Sequence, residues 1–424
     1  MVQNIENKKV VMIVAPFWGK PGHVGNYRID RFIRWLKAEK IRIILIKAAS
    51  EENIIEMDWG LEISIKDSVG KVSELLSKFS QKVGTKLFLY VWYLIILLFI
   101  PVDSYFVWAK SIQNSKLLKN YISDVKFILS SSPPHSGLVA AYNISKKYSI
   151  PTIIDMRDGW IDEPMQPVLI KWSLRRIIEI KLEKKILEQA IKIFVTSDVW
   201  KKLLVNRLPF TAKKTTVITN AYPIDYENYR ESQNRNTMPQ LILLHAGRFR
   251  GTRRTNNVSI LLQPLYKILK KKKNLELSIV LLGDLNREDY NELTYWRQQF
   301  STTLCQVITK NRVKRKEMYT ELAQANGLLL LATANAFIPS KTFEYIKSAK
   351  PILAVTLKDS SVWKMGLKIP QMFLFDYSAK EKDYSQIKNF IEACSTGKYE
   401  YDIPDEFSEN HLSKIFLKAI EEIV

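Results

Sequence analysis

The sequence predicts an α/β protein built of two successive units, each a parallel sheet flanked by helices. Three observations carry this. Short apolar runs recur without polar alternation, as at 10–15 and 277–282, the pattern of strands buried on both faces. Helix-period stretches separate them. The alternation stops near Tyr222 and restarts after Gln240, across a polar stretch holding Pro223, Pro239 and Gln233-Asn234-Arg235-Asn236, a linker composition. A chain of 424 residues suits two domains of ~200 residues each.

In order, the first unit opens with a strand at 10–15, a helix at 27–39 and a strand at 41–46. Strands at 126–130, 152–154 and 191–195 follow, each after a helix. The second unit has a strand at 241–244, a helix at 257–270 and a strand at 277–282. A short strand at 306–308 precedes a helix around 318–325. A strand at 327–331, a helix at 342–348 and a strand at 351–355 complete the pattern. No repeat of solenoid length is present.

Charge narrows the partners. Sixty-four Lys and Arg against 43 Asp and Glu give a net charge of +21. The partners are therefore expected to be anionic: nucleic acid, acidic lipid or phosphorylated small molecules. The basic residues fall in short clusters (Arg175-Arg176, Lys184-Lys185, 270–273 and 310–316), each also readable as a solvated helix face. The only cysteines are Cys305 and Cys394, which excludes a disulfide framework and a cysteine-rich zinc site. The opening residues are polar and no signal-peptide core follows, so a cytoplasmic location is expected.

Residues 87–102 form a sixteen-residue stretch without a charge, containing Phe88, Trp92, Tyr93 and Phe99. A spanning helix needs ~20 apolar residues, which argues against a crossing. The stretch is either a buried helix or a segment dipping into one leaflet. Its aromatic residues and the basic flank at 71–86 favour membrane contact.

Candidate site residues lie where strands end. After the first strand comes Phe17-Trp18-Gly19-Lys20-Pro21-Gly22-His23-Val24-Gly25. This is either a turn that needs its glycines or a loop whose N–H groups, with the next helix N-terminus, meet an anion or sugar. Its spacing is not G-x-G-x-x-G, and the second strand ends in Lys47-Ala48-Ala49 without a ribose-binding acid, which excludes a nicotinamide site. There is no P-loop. Ser130-Ser131-Ser132-Pro133-Pro134-His135-Ser136 and Asp155-Met156-Arg157-Asp158-Gly159-Trp160 follow two further strands, where open α/β sheets bind ligands. Asp155, Arg157 and Asp158 are either an ion-pair cluster or a group that orients an acceptor and takes its proton.

In the second unit, His245-Ala246-Gly247-Arg248-Phe249-Arg250-Gly251-Thr252-Arg253-Arg254 puts four arginines in seven residues just after a strand, suited to bidentate phosphate binding. Pro339 and Ser340 read as a helix start, with Lys341 in its first turn. Glu344 shares a face with Ser340. An anion at this helix end with a carboxylate on a ribose diol describes a nucleotide-sugar donor site.

Taken in order, these pieces, with Val217-Ile218-Thr219-Asn220-Ala221-Tyr222 and Lys350-Pro351-Ile352, resemble the bacterial GT-B glycosyltransferases of the family-four type found in capsule and O-antigen assembly. The resemblance covers nearly the whole chain. It implies two Rossmann-like domains facing across a cleft: an acceptor domain at 1–222, a linker at 223–240, a donor domain at 241–405 and a final helix at 406–424 packing back toward the first. It implies transfer with retention, no bound metal and no cofactor beyond the nucleotide-sugar substrate. Arg248 with Arg253 or Arg254 would stabilise the leaving diphosphate, and Asp158 is the further catalytic candidate, as the group that takes the acceptor's proton. Gly247, Pro339, Ser340, Lys341 and Glu344 would hold the donor. Gly22, Gly25, His135, Asp155 and Arg157 would meet the acceptor, expected to be a polyprenyl-diphosphate-linked glycan at an anionic inner-leaflet surface. Two departures stand out. The family's acid eight residues before Glu344 is Ala336, and its glycine at the crossing is Ala221. The rival expectations are a degenerate nucleotide-sugar binder and a nucleic-acid-binding α/β protein, the latter without an RRM, KH or helix-turn-helix signature.

Overall fold

The computed structural model describes residues 9–20, 23, 25–67, 101–163, 174–226, 240–249, 256–272, 274–397 and 401–423. Gly22, Arg253, Arg254, most of the 87–102 stretch and most of the 223–240 linker lie outside these. The chain divides into two compact units. One comprises Met1–Thr196, Trp200–Ile218 and Ser413–Val424; the other comprises Ser197–Val199 and Thr219–Leu412.

The first unit is built on an eight-stranded sheet. Its strands are β1 (Val10–Val14), β2 (Arg42–Ala49), β3 (Asn53–Met57), β4 (Gly60–Lys66), β5 (Val125–Ser132), β6 (Thr152–Met156), β7 (Lys192–Val195) and β8 (Thr215–Val217), in the spatial order β3-β4-β2-β1-β5-β6-β7-β8. All pairs are parallel except β3 with β4. That antiparallel edge hairpin is absent from the sequence reading, because β3 is mostly exposed and carries no apolar run. The described helices longer than four residues are α1 (Gly25–Ala38), α2 (Phe106–Ser111), α3 (Ser136–Tyr148), α4 (Leu174–Gln189) and α5 (Asp198–Arg207). Every residue of β1 is buried, as expected for the centre of a sheet covered on both sides.

The second unit holds a six-stranded parallel sheet of β9 (Leu241–Ala246), β10 (Leu277–Leu282), β11 (Cys305–Lys310), β12 (Gly327–Ala332), β13 (Ile352–Thr356) and β14 (Met372–Asp376), ordered β11-β10-β9-β12-β13-β14. Successive residues point to opposite faces. Leu243, Ile279, Leu281, Leu329 and Leu353 enter one core, while Leu244, Val280, Leu328, Leu330 and Ile352 enter the other. Two cores explain why these strands are continuously apolar. Around the sheet lie α6 (Val258–Leu269), α7 (Arg287–Phe300), α8 (Arg315–Gln324), α9 (Lys341–Lys347), α10 (Ser361–Gly366) and α11 (Ser385–Thr396). Asn257 caps α6 by accepting from the Ile260 N–H at 2.8 Å, and Asn286 with Asp289 forms a capping box on α7.

The last helix, α12 (Glu409–Ile420), brings Phe416 into the first unit. Its ring lies 5.1 Å from Phe32, 5.5 Å from Trp35 and 5.7 Å from Phe194. Cys305 and Cys394 are both buried free thiols.

Candidate functional site

Strand order decides where an open α/β sheet can bind a ligand. In each sheet the direction of winding reverses once, and the crevice opens beyond the carboxyl ends of the strands flanking that point. In the first sheet the reversal lies between β1 and β5. In the second it lies between β9 and β12. Both fall on the turns singled out in the sequence.

Beyond β9, His245, Gly247 and Lys341 come together. Gly247 has φ +132°, and a Cβ on it would stand 3.1 Å from Lys341 Nζ. The absence of a side chain thus brings the ammonium against the backbone. Lys341 donates to His245 Nε2 at 3.3 Å, and His245 Nδ1 lies 2.9 Å from the Leu329 carbonyl. A carbonyl only accepts and an ammonium only donates, so the ring is neutral with its proton on Nδ1. Burial, then Lys341, hold its pKa well below the usual histidine value. Its ring stacks on Phe249 at 4.5 Å. The start of α9 is tied to the same strand by Tyr345, whose buried hydroxyl accepts from the Ala246 N–H at 2.8 Å. The glycine turn and the helix start therefore meet.

The remaining donor candidates are placed as follows. Arg248 turns to Asp284, with Nη2 2.7 Å and Nε 3.1 Å from one carboxylate oxygen; both side chains are exposed. Glu344 is paired to Arg315 at 3.0 Å. Pro339 accepts from the Thr342 N–H at 3.0 Å. Ser340 takes the N-cap position of α9 with an αR backbone and no side-chain cap bond, so the helix starts where the sequence reading put it. The buried Thr342 hydroxyl meets no partner. Ala336 is buried, and its carbonyl accepts from Ser197 Oγ at 2.6 Å and Ser361 Oγ at 2.7 Å. The backbone there is held in place without a carboxylate.

In the first unit, Asp155 has a different job from the acceptor contact expected of it. Its carboxylate is fully buried and accepts from Arg28 Nη2 at 2.7 Å, Arg28 Nε at 3.1 Å and Ser131 Oγ at 2.6 Å. Arg28 also donates to the Ile218 carbonyl at 2.8 Å. This clamp ties α1, β5, β6 and the end of β8. Asp158 is partly exposed, and Arg157 Nε stands 3.5 Å from it. Gly25 opens α1 and its N–H donates to His23 Nδ1 at 3.2 Å.

His135 stacks on Trp160 at 5.0 Å. Burial, with Arg157 second, pushes its pKa down to about 3. Burial, then Arg157 and Lys20, also lower that of His23. Arg157 Nη1, His135 Nδ1 and Ser132 Oγ are buried polar atoms without a partner. They sit around the ends of β5 and β6, joined by the Arg157 N–H to Ser132 carbonyl bond of 3.1 Å. The N-terminus of α3 is already occupied: Asp103 accepts from the Ser136 N–H at 2.9 Å and Ser136 Oγ at 2.5 Å. It is thus filled from within, which leaves the histidine, the arginine and the serine as the polar groups facing this end.

Sequence reasoning passed over Arg28, Asp103, His245, Asp284 and Arg315. Their partners lie tens of residues or more away in the chain, 96 positions for the Lys341–His245 pair. Among the described residues no cluster of acids, histidines and cysteines could hold a metal ion, and no helix is long and apolar enough to cross a membrane.

Two Rossmann-like sheets with parallel strands flanked by helices place the chain in the GT-B fold of glycosyltransferases. It is similar to sucrose-phosphate synthase from Thermosynechococcus elongatus, at 12% identity over 98% of this chain and 99% of that one, TM-score 0.63. A glycosyltransferase from Rickettsia africae matches at 14% identity over 99% of each chain, TM-score 0.59. The Anabaena protein HepE in complex with UDP matches at 13% identity over 98% of this chain and 100% of that one, TM-score 0.56. No family model and no curated protein matches the sequence.

Proposed function

We propose that the protein is a glycosyltransferase that moves a sugar, with retention, from a nucleotide-sugar donor to a lipid-linked glycan acceptor in surface polysaccharide synthesis. The observation that carries this reading is the meeting of Gly247 and Lys341 at the reversal point of the second sheet. A glycine backbone and an ammonium at one spot, next to a neutral histidine, make a seat for a diphosphate. Similar structures include one with UDP bound and one with UDP and glucose.

In this mechanism Lys341 and the arginines of the turn, Arg248, Arg253 and Arg254, stabilise the negative charge that grows on the diphosphate as its bond to the anomeric carbon breaks. Preorganised cations placed where charge develops are worth several kcal/mol. Glu344 holds the ribose diol. In the first unit Arg157, His135 and Gly25 are assigned to the acceptor, and Asp158 to its proton. The acceptor is taken as polyprenyl-diphosphate-linked because of the +21 charge, with the protein working peripherally at the inner membrane face.

Thermal-shift screening with UDP-, GDP- and dTDP-sugars tests donor binding, since a ligand at ~100 Kd adds ~2.7 kcal/mol of stability. With the donor so identified, Lys341→Ala, Arg253→Ala and Glu344→Ala are each expected to lower turnover at least about tenfold, or ~1.4 kcal/mol. Unchanged turnover in all three rejects the site. Buried Ala336 favours a second reading, a binder without catalysis. A donor that stabilises the protein yet is neither hydrolysed nor transferred would select it.

A further inference from the structure

The first half of helix α4 is inside out. Its charged side chains Arg175, Glu179 and Glu183 are buried, whereas Leu174 is 81% exposed and Ile177, Ile178 and Ile180 are about half exposed. The buried charges are paired, although Glu179 Oε2 itself meets no partner. Arg175 Nε donates to Glu179 Oε1 at 2.7 Å, and Arg207 Nη1 donates to Glu183 Oε2 at 2.6 Å. An amphipathic helix on a protein surface normally turns its apolar stripe inward. In its first half the polar side chains are the anchored ones and the apolar ones face outward, whereas Ile186 and Leu187 near its end are buried.

The outward stripe has an order. Leu174, Ile177, Ile178, Lys181 and Lys185 follow helical spacing and share one face, with Lys184 at its margin. Its first turn and a half is aliphatic. The next two turns carry three lysines, of which Lys184 lies 3.7 Å from Glu188. Lysine stems reach along apolar surface while their heads stay in water. Aliphatic residues flanked by such lysines suit a layer that is apolar below and anionic above.

A second observation concerns the end of the uncharged 87–102 stretch. Its last residue, Val102, donates its N–H to Glu179 Oε1 at 3.0 Å and accepts from Arg175 Nη2 at 2.6 Å. The buried ion pair of α4 thus holds the backbone of Val102. The end of the membrane-favoured part of the sequence is tied to the helix that exposes Ile177 and Ile178.

We infer that the outward face of α4 docks on an anionic lipid leaflet, with Leu174, Ile177 and Ile178 entering the acyl boundary and Lys181, Lys184 and Lys185 meeting the headgroup phosphates. The occupant is a lipid surface because a second copy of this strongly cationic chain would bring like charges together.

The test is co-sedimentation of the full chain with vesicles of phosphatidylcholine alone or containing about one-third phosphatidylglycerol. Wild type is expected to bind the anionic vesicles at least tenfold more tightly than the neutral ones. The pair Ile177→Ser and Ile178→Ser should lower that affinity at least tenfold. The triple change Lys181→Gln, Lys184→Gln and Lys185→Gln should erase the preference for anionic lipid, and it keeps the test decisive if the serine pair folds poorly. Leu367→Ser, an equally exposed apolar residue of the second unit, should change nothing. The inference is overturned if wild type ignores both vesicles or if the α4 variants bind like wild type. It is also overturned if the serine pair converts a dimer to a monomer without altering vesicle binding. The vesicles contain neither donor nor acceptor, so the result stands apart from the transferase reading.

Discussion

Arg28 and Asp155 are 127 positions apart, yet they form one of the most completely buried ion pairs in the first unit, with 1% and 0% of their side chains exposed. Removing one partner strands a charge without solvent. Arg28→Ala is expected to cost about 3–5 kcal/mol in urea unfolding. The double variant Arg28→Met with Asp155→Leu should lose much less, since no charge is left behind. The buried histidines act through protons. In the unfolded chain His135 and His245 take up a proton near pH 6.5, whereas the folded protein keeps both neutral. Their contribution is complete above pH 6.5 and shrinks as pH falls toward the folded value, about 3 for His135. Stability should therefore drop on acidification below pH 6.5 by up to ~1.4 kcal/mol per pH unit for each histidine. Unfolding curves of wild type and His245→Asn at pH 7 and pH 5 check this, with the smaller loss expected in the variant.

At the scale of elements, strand pairing is set by close backbone approach. Gly60 has φ +145°, and a Cβ there would stand 2.0 Å from the Ile43 carbonyl oxygen. Ile43 and Gly60 are register partners in the β2–β4 pair. Gly60→Ala should cost about 3 kcal/mol, from overpacking and the unfavourable φ together, read as a lower unfolding midpoint. The apolar strands at 10–15, 277–282 and 327–331 were legible because burial on both faces leaves a local, continuous signature. The β3–β4 hairpin was not, since an exposed edge strand has none. The arginine- and glycine-rich turn after β9 was legible by composition. That its glycine would meet Lys341 was not, because the contact joins residues nearly a hundred positions apart.

For the whole molecule, the chain returns to its first unit with its last helix. Leu412 is the last residue of the second unit, and Ser413 onward belongs to the first. Phe416, fully buried among Phe32, Trp35 and Phe194, is the residue on which that return turns. Phe416→Ala should cost about 3–5 kcal/mol, seen in calorimetry as a lower melting temperature of the first unit's transition.

The amino-acid order by itself determined where the central strands lie, that two α/β units follow one another, and which turns carry glycine and cationic side chains. Those are local properties, written in runs of a few residues by the demand that a covered sheet be apolar. Only the tertiary structure decided the order of strands, and with it the two reversal points beside which the glycine-bearing turns fall. It alone decided that Asp155 belongs to Arg28, that Asp103 fills the end of α3, and that α4 exposes Ile177 and Ile178. Pairings between distant residues leave no periodic trace in a chain; they exist once backbone geometry has brought the partners within hydrogen-bonding distance.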